Sequence, residues 1–320
     1  PASGATLAED YRTQEYAMYV FFKTNDDVRL QGAPLRVNPA NPYELAFYQL
    51  YCGDVQAYRG HAAGMTYDLV YHRRIPSESE AFYFQNSFPL QMAEVIEYFG
   101  GPCLPRAFVT ISEDDAFTGM EATNGFAVEF AHNVVDFSDL HNPFAQVVAE
   151  IIHHEAVHLW IGVRMGEIED PWFKEGVTTY LGILLALKSG FISEDYFRSY
   201  LLRDESSNPV VSQTALSDPT VRIRLFDDGF WTRLVYVKGA QVAFLLDMEI
   251  RKATENQKSL RDVLLSLWSG FAHGAFNREE FLQSIAASGF EAGDFFKSIV
   301  DTPGAIPLHQ LREALRVAQQ

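Results

Sequence analysis

Cysteine is nearly absent. Cys52 and Cys103 are the two in the chain, too few for a disulfide framework or a four-thiolate zinc site, so any metal must be held by His and carboxylates. One bridge or two free thiols stay open. Basic residues are also scarce: 25 Lys and Arg stand against 42 Asp and Glu, a net charge of −17. That balance repels phosphate backbones and anionic membrane surfaces, which excludes nucleic-acid binding as the main task. Long apolar runs are missing as well. The longest, Tyr180 to Leu187, stops at Lys188, far short of the ~18 residues that span a bilayer, so a soluble protein without a transmembrane segment is expected. No internal repeat or low-complexity segment supports a solenoid or a linker array. The chain opens Pro1-Ala2-Ser3-Gly4 without an initiating Met or a basic-then-apolar leader. A processed or trimmed start is expected from that, and periplasmic, secreted and cytoplasmic locations all stay open.

What is present is a substantial core. Hydrophobic residues make up 48% and aromatics 14% of 320 residues, enough for about two compact units. Residues 11–74 are rich in Tyr, Phe and Val, with turn clusters at 25–27 and 38–42 and a possible helix near 44–51, and read as short strands and loops. Ser87 to Phe99 carries apolar residues at helical spacing and stops at Gly100-Gly101-Pro102. Ala107–Ile111 and Gly125–Phe130 read as strands, separated by an acidic, Gly-containing turn region. Asn142-Pro143 then opens a helix running to about Ile161, with a cap and Pro at the first helical position. Beyond Phe173 the pattern is helical, with stripes at Val177–Leu187 and Tyr236–Ile250 and a capping box at Asn277/Glu280.

The chemistry lies in the helix from Asn142, which contains His154-Glu155-x-x-His158. Residues four apart share a helix face roughly 5–6 Å apart, so both imidazoles can reach one Zn²⁺ while Glu155 leans toward a water beside it. A tetrahedral catalytic zinc needs a third protein ligand and an open position. Glu175, separated from His158 by sixteen residues in Trp172-Phe173-Lys174-Glu175-Gly176, is the candidate. Two imidazoles and a carboxylate on an otherwise apolar helix would be costly to bury without partners, which favours a metal site over a chance match.

This His-Glu-x-x-His pair, followed by an aromatic-x-x-Glu-Gly segment, resembles the gluzincin zinc metallopeptidases of the aminopeptidase N and glycyl aminopeptidase type. Gly119-Met120-Glu121-Ala122-Thr123-Asn124 resembles the substrate-facing strand of that family, and Tyr236-Val237-Lys238-Gly239 its Tyr-x-Lys-Gly motif. The resemblance implies roles residue by residue. His154, His158 and Glu175 would bind zinc, Glu155 would be the general base, and Tyr236 would hydrogen-bond the oxyanion. Gly119, Met120 and Glu121 would face the substrate, with Glu121 pairing with a free α-amino group. It also implies an α+β fold: a β-rich N-terminal region (1–75), a thermolysin-like mixed α/β catalytic unit with the zinc helix (76–185), and a helical C-terminal unit (186–320). The His158-to-Glu175 interval is two residues shorter than in aminopeptidase N, so a tighter loop is expected between them.

The expected function is that of a zinc metallopeptidase, aminopeptidase-like, hydrolysing peptide bonds by zinc-activated water with a Glu base. A zinc hydrolase of a small-molecule epoxide or ester is the alternative, followed by a non-catalytic interaction protein retaining a metal. Substrate specificity and oligomeric state stay open. Of the other polar residues, His153 falls off the ligand face and reads as a surface residue or a support for a ligand, and Glu150 either orients a ligand or is solvated. His132, His141, His273 and His309 read as structural or exposed. Arg222, Arg224 and Arg233 meet a substrate carboxylate or form salt bridges.

Overall fold

The computed structural model describes residues 17–18, 21–22, 30–31, 35–36, 55–72, 76–113, 117–122, 125–162, 164–165, 170–271 and 276–318. The turns expected at 25–27 and 38–42, the possible helix at 44–51, Cys52 and His273 lie outside them.

The architecture is α+β, with a β lead-in, a mixed α/β region and a helical C-terminal part. The lead-in contributes four two-residue strands, β1 (Ala17–Met18) with β4 (Leu35–Arg36), and β2 (Phe21–Phe22) with β3 (Leu30–Gln31), each pair antiparallel. The main sheet has five strands in the order β5-β6-β7-β9-β8. β5 (Val55–Ala62) and β6 (Met65–His72) form an antiparallel hairpin. Its two-residue loop, Ala63 and Gly64, has positive φ at both positions, the geometry whose twist matches that of the strands. β6 pairs in parallel with β7 (Arg106–Glu113), so strands on either side of residue 75 belong to one sheet. A parallel pair needs a crossover, and residues 76–99 supply it, ending in α1 (Phe88–Tyr98).

β7 pairs in parallel with β9 (Gly125–Phe130), and β8 (Thr118–Ala122) is the antiparallel edge strand beyond β9. Composition alone reads residues 118–122 as part of a turn region, whereas the resemblance implies a strand, and a strand is what they form. β9 is buried nearly throughout and β8 is mostly half-exposed, as inner and edge positions require.

α2 (Pro143–His158) packs beneath this edge and contacts both β8 and β9. Asn142 caps it, its side chain accepting from Phe144 N and Ala145 N at 2.9 and 3.3 Å, which satisfies amide donors left over at a helix start. At its far end Trp160 stacks on Phe99 from the end of α1, ring centroids 4.8 Å apart, so the motif helix is held to the crossover. α3 (Thr178–Lys188) lies against α2, and Gly182 is the contact: a Cβ there would stand 3.1 Å from His154 N.

The C-terminal region is helical: α4 (Glu194–Leu201), α5 (Gly239–Ala253), α6 (Leu260–Phe271), α7 (Arg278–Ser288) and α8 (Leu308–Ala318). The expected capping box at Asn277/Glu280 is present in both directions. Between α4 and α5 lie five-residue helices at Pro209–Gln213, Thr220–Arg224 and Gly229–Arg233. No helix among the described residues is long and apolar enough to cross a membrane.

Four π-helical turns occur among the described residues: Tyr83–Ser87, Phe296–Val300, and two that enter the helices behind the sheet edge, Trp172–Val177 leading into α3 and Leu234–Lys238 leading into α5. π turns are rare and gather at functional sites.

Candidate metal centre

Four elements converge on one point. α2 brings His154, Glu155 and His158; the Trp172–Val177 turn brings Glu175; the Leu234–Lys238 turn brings Tyr236; and edge strand β8 brings Gly119 and Glu121. One ligand atom from each of His154, His158 and Glu175 lies within 4.8 Å of the others, and all three residues are buried. The two Nε2 atoms are 3.0 Å apart, and Glu175 Oε2 is 3.5 Å from His154 Nε2 and 3.3 Å from His158 Nε2.

The hydrogen bonds on the far side of each ring decide what that triangle is. His158 Nδ1 lies 3.1 Å from the Ile161 carbonyl, which can only accept, so this nitrogen carries the proton. Thr179 Oγ1 donates to the Glu175 carbonyl at 2.7 Å and lies 3.3 Å from His154 Nδ1. With its one proton committed, the hydroxyl accepts from His154 Nδ1. In the neutral rings both Nε2 lone pairs would therefore point at one another and at a carboxylate oxygen. Three acceptors aimed at one point describe a cation site, and outer hydrogen bonds of this kind fix metal-ligating tautomers.

Without a cation, a proton takes its place. Burial alone would lower the pKa of His158, but the carboxylates of Glu175, Glu155 and Glu121 push it up to about 9. Burial and the charge on His158 leave His154 below its ordinary value. Burial alone would raise Glu175, yet the imidazoles of His158 and His154 hold it well below the usual carboxylate range. The surrounding carboxylates thus favour one proton held between the two imidazoles. The donor set, two imidazoles and a carboxylate, suits zinc.

Glu155 is the group with no anchor. Its Oε2 is buried and has no hydrogen-bond partner, and burial, with Glu121 and Glu175 nearby, pushes its pKa up to about 8. An unpaired buried carboxyl oxygen normally marks a functional requirement. Gly119 makes the room: a Cβ there would sit 2.5 Å from Glu155 Oε1. Strand alternation turns Glu121 to the same side, where its carboxylate lies within 4.8 Å of ligand atoms of Glu155 and His158. Met120 points the other way and is 66% exposed.

Tyr236 stacks on His154, ring centroids 5.7 Å apart and nearly parallel, and its hydroxyl is influenced by the nearby Glu175 carboxylate. Burial and the surrounding carboxylates hold it far above the ordinary phenol value, so it stays a neutral donor. Trp172 and Phe173 anchor the turn that carries Glu175, packing edge-on to Phe296 and Phe281 respectively.

Two residues that the sequence did not single out belong to this cluster. Thr179 orients His154, and its signal was a hydroxyl four residues after Glu175 in an apolar stretch. Lys174 ion-pairs with Glu121 and stands 3.6 Å from Glu175 Oε1; its signal was a lone cation between Phe173 and Glu175. Burial would lower Lys174, but Glu121 and Glu175 raise it instead.

The remaining polar candidates lie elsewhere. His153 is neither at the surface nor on a ligand: it is fully buried between the Ala149 carbonyl at 2.7 Å and Ser189 Oγ at 3.1 Å. Glu150 is half-buried and accepts from the Tyr196 hydroxyl. His132 pairs with Glu80 at 3.4 Å. Arg224 and Arg233 form salt bridges with Asp227 and Glu205.

Known proteins share this arrangement at the level of family and fold. The sequence profile of the Peptidase family M1 domain matches residues 90–302. No curated protein matches in sequence. Among solved structures, an aminopeptidase N family protein from Idiomarina loihiensis aligns with a TM-score of 0.69 at 19% identity, over 81% of this chain and 49% of that one. A mutant M1 zinc metallopeptidase from Deinococcus radiodurans, bound to a Tyr-Ser-Ala substrate, aligns with a TM-score of 0.54 at 14% identity, over 80% of this chain and 54% of that one. At such identities the likeness is one of fold, and the chain spans about half the length of these relatives.

Proposed function

The chain belongs to peptidase family M1, and from that premise we propose that it is a zinc-dependent metallopeptidase that hydrolyses peptide bonds beside edge strand β8. The observation that carries this reading is the triangle of His154, His158 and Glu175 with the unpaired Glu155 oxygen next to it. A structural metal site would have no use for a buried carboxyl left without a partner.

Zinc, when bound by His154, His158 and Glu175, supplies a Lewis acid that acidifies water and polarises a carbonyl. The chain's own residues do the rest. Glu155 accepts the proton of the attacking water at its free oxygen and carries it to the departing nitrogen. Its unpaired oxygen suits both halves of that task, since no competing hydrogen bond holds it away from the water or from the departing nitrogen. The Tyr236 hydroxyl, a neutral donor, donates to the oxygen on which charge develops. Gly119 and Glu121 form the wall along which the substrate backbone lies. Glu121 is what makes the reading aminopeptidase-like: it is the carboxylate beside the base that the amino end of the residue being removed would approach, and it is shared with Lys174.

Elemental analysis of the purified protein, with cleavage of a mixed peptide library before and after chelation, tests the proposal. Zinc near one per chain and chelator-sensitive cleavage are expected. Glu155→Gln should keep the metal and lose about 10²–10⁴-fold in turnover. Full activity in that variant would overturn the assignment.

A further inference from the structure

The ion pair between Lys174 and Glu121 bears on which substrates this site accepts, and the inference rests on the peptidase reading. Three observations define it. Lys174 is held by Glu121 and faces Glu175 at 3.6 Å. Its aliphatic stem lies across Gly162, where a Cβ would stand 2.8 Å from Lys174 Cε. Gly162 has φ 98°, a conformation that other residues resist. The lysine therefore has a seat, formed by a residue without a side chain on one side and two carboxylates on the other.

The position of that ammonium matters. The α-nitrogen of the residue that contributes the scissile carbonyl lies two bonds from the carbonyl carbon, about 2.5 Å away. Glu121, with a carboxylate oxygen within 4.8 Å of ligand atoms of both Glu155 and His158, is where such a nitrogen would find an anion. In this chain the anion already has a cation.

We propose that Lys174 is a tethered surrogate for a substrate α-ammonium, which opens the site to peptides whose amine is acylated or lies within a preceding peptide bond. The energetics act in two directions. A substrate without a free amine leaves the half-buried Glu121 carboxylate still paired, since Lys174 neutralises it, and the cost of an unpaired charge that would otherwise count against such a substrate is reduced. A free amine, in contrast, must displace a group whose effective concentration is on the order of mM. Lys174 thereby levels a discrimination that Glu121 alone would impose.

The test uses matched pairs. Hydrolysis of an alanyl fluorogenic amide and its N-acetyl form is compared in the zinc-loaded protein, in Lys174→Met and in Lys174→Arg. Calorimetric binding of a trialanine peptide and its N-acetyl form is measured in the Glu155→Gln background, where turnover does not interfere. The wild type should treat the members of each pair within about tenfold of one another, and Lys174→Met should shift the ratio toward the free amine by about tenfold or more, through KM. Lys174→Arg should keep the wild-type ratio, and adding Glu121→Gln to Lys174→Met should abolish the shift. A wild type preferring the free amine by more than about 100-fold, or a ratio unmoved in Lys174→Met, overturns the proposal. Should Lys174→Met fail to fold, Lys174→Gln takes its place with the same expectation. If the calorimetric preference shifts as expected while the wild type cuts neither amide, the peptidase reading falls and the role of Lys174 stands.

Discussion

Gly176 and Gly239 bring two helix backbones into direct contact: a Cβ on Gly176 would lie 2.6 Å from the Cα of Gly239, and one on Gly239 would lie 2.9 Å from the Cα of Gly176. Gly176 follows Glu175 on one π turn, and Gly239 closes the one that carries Tyr236. The separation between a ligand and the proposed oxyanion donor is thus set by two missing methyl groups. Gly176→Ala should force the turns apart, at an overpacking cost of about 1–3 kcal/mol. Thermal melting would register that loss, and activity should fall further than stability. A variant with wild-type turnover would show that the contact does not position Tyr236.

The proton on the His154/His158 pair ties metal binding to pH. A zinc ligand must be a neutral imidazole, and His158 without metal holds its proton up to pH of about 9, so binding must release it. Affinity should therefore rise with pH by about tenfold per unit below that value and level off above it. Calorimetric titration with zinc in buffers of different ionisation enthalpy should show at least one proton released near neutral pH. No release would mean that the pair is neutral before the metal arrives.

Much of this site is legible in the sequence, and the reasons are local. Asn142-Pro143 announces a helix start, and the motif's four-residue spacing puts both imidazoles on one face, so the structure brings together what the pattern predicts. Glu175 stands out from its own segment. What is not legible depends on contacts across the chain. Lys174 reads as an ordinary surface cation until β8 places Glu121 against it. β8 itself hides because Gly119 and the acidic residues around it break the alternation that marks a strand. The π turns leave no periodic signal, since one extra residue per turn shifts the pattern without erasing it. The five-residue helices between α4 and α5 look like loop in the sequence because each is too short to show a period, although Asn208 and Asp228 cap two of them through side-chain bonds to the following amides.

Thr179 gives a test of how far support beyond the ligands matters. Its hydroxyl fixes the His154 tautomer by accepting from Nδ1 while donating to the Glu175 carbonyl. Thr179→Val keeps the shape and removes both bonds. Zinc affinity should fall by about 10–100-fold, read by competition with a chromophoric chelator, while the fold persists. An unchanged affinity would assign Thr179 to packing alone.

His153, next to the ligand but turned into the core, should set the acid limit of the fold. Burial, partly offset by its bond to the Ala149 carbonyl, lowers its pKa to about 4, against an unfolded value near 6.5. A depressed histidine contributes stability that is present above pH of about 6.5 and is lost as pH falls through 4, at most about 3 kcal/mol in all. His158 and Glu155 shift the other way, to about 9 and 8. Their contributions are fully present at low pH and decline as pH rises through those values, so they add nothing to an acid loss. Acid destabilisation of the metal-free protein between pH 6.5 and 4 should therefore be smaller in His153→Phe, which fills the same space beside Phe191 without a titrating group. Melting temperatures taken in chelator across that range decide the matter: equal slopes in the two proteins would mean that another group carries the acid sensitivity.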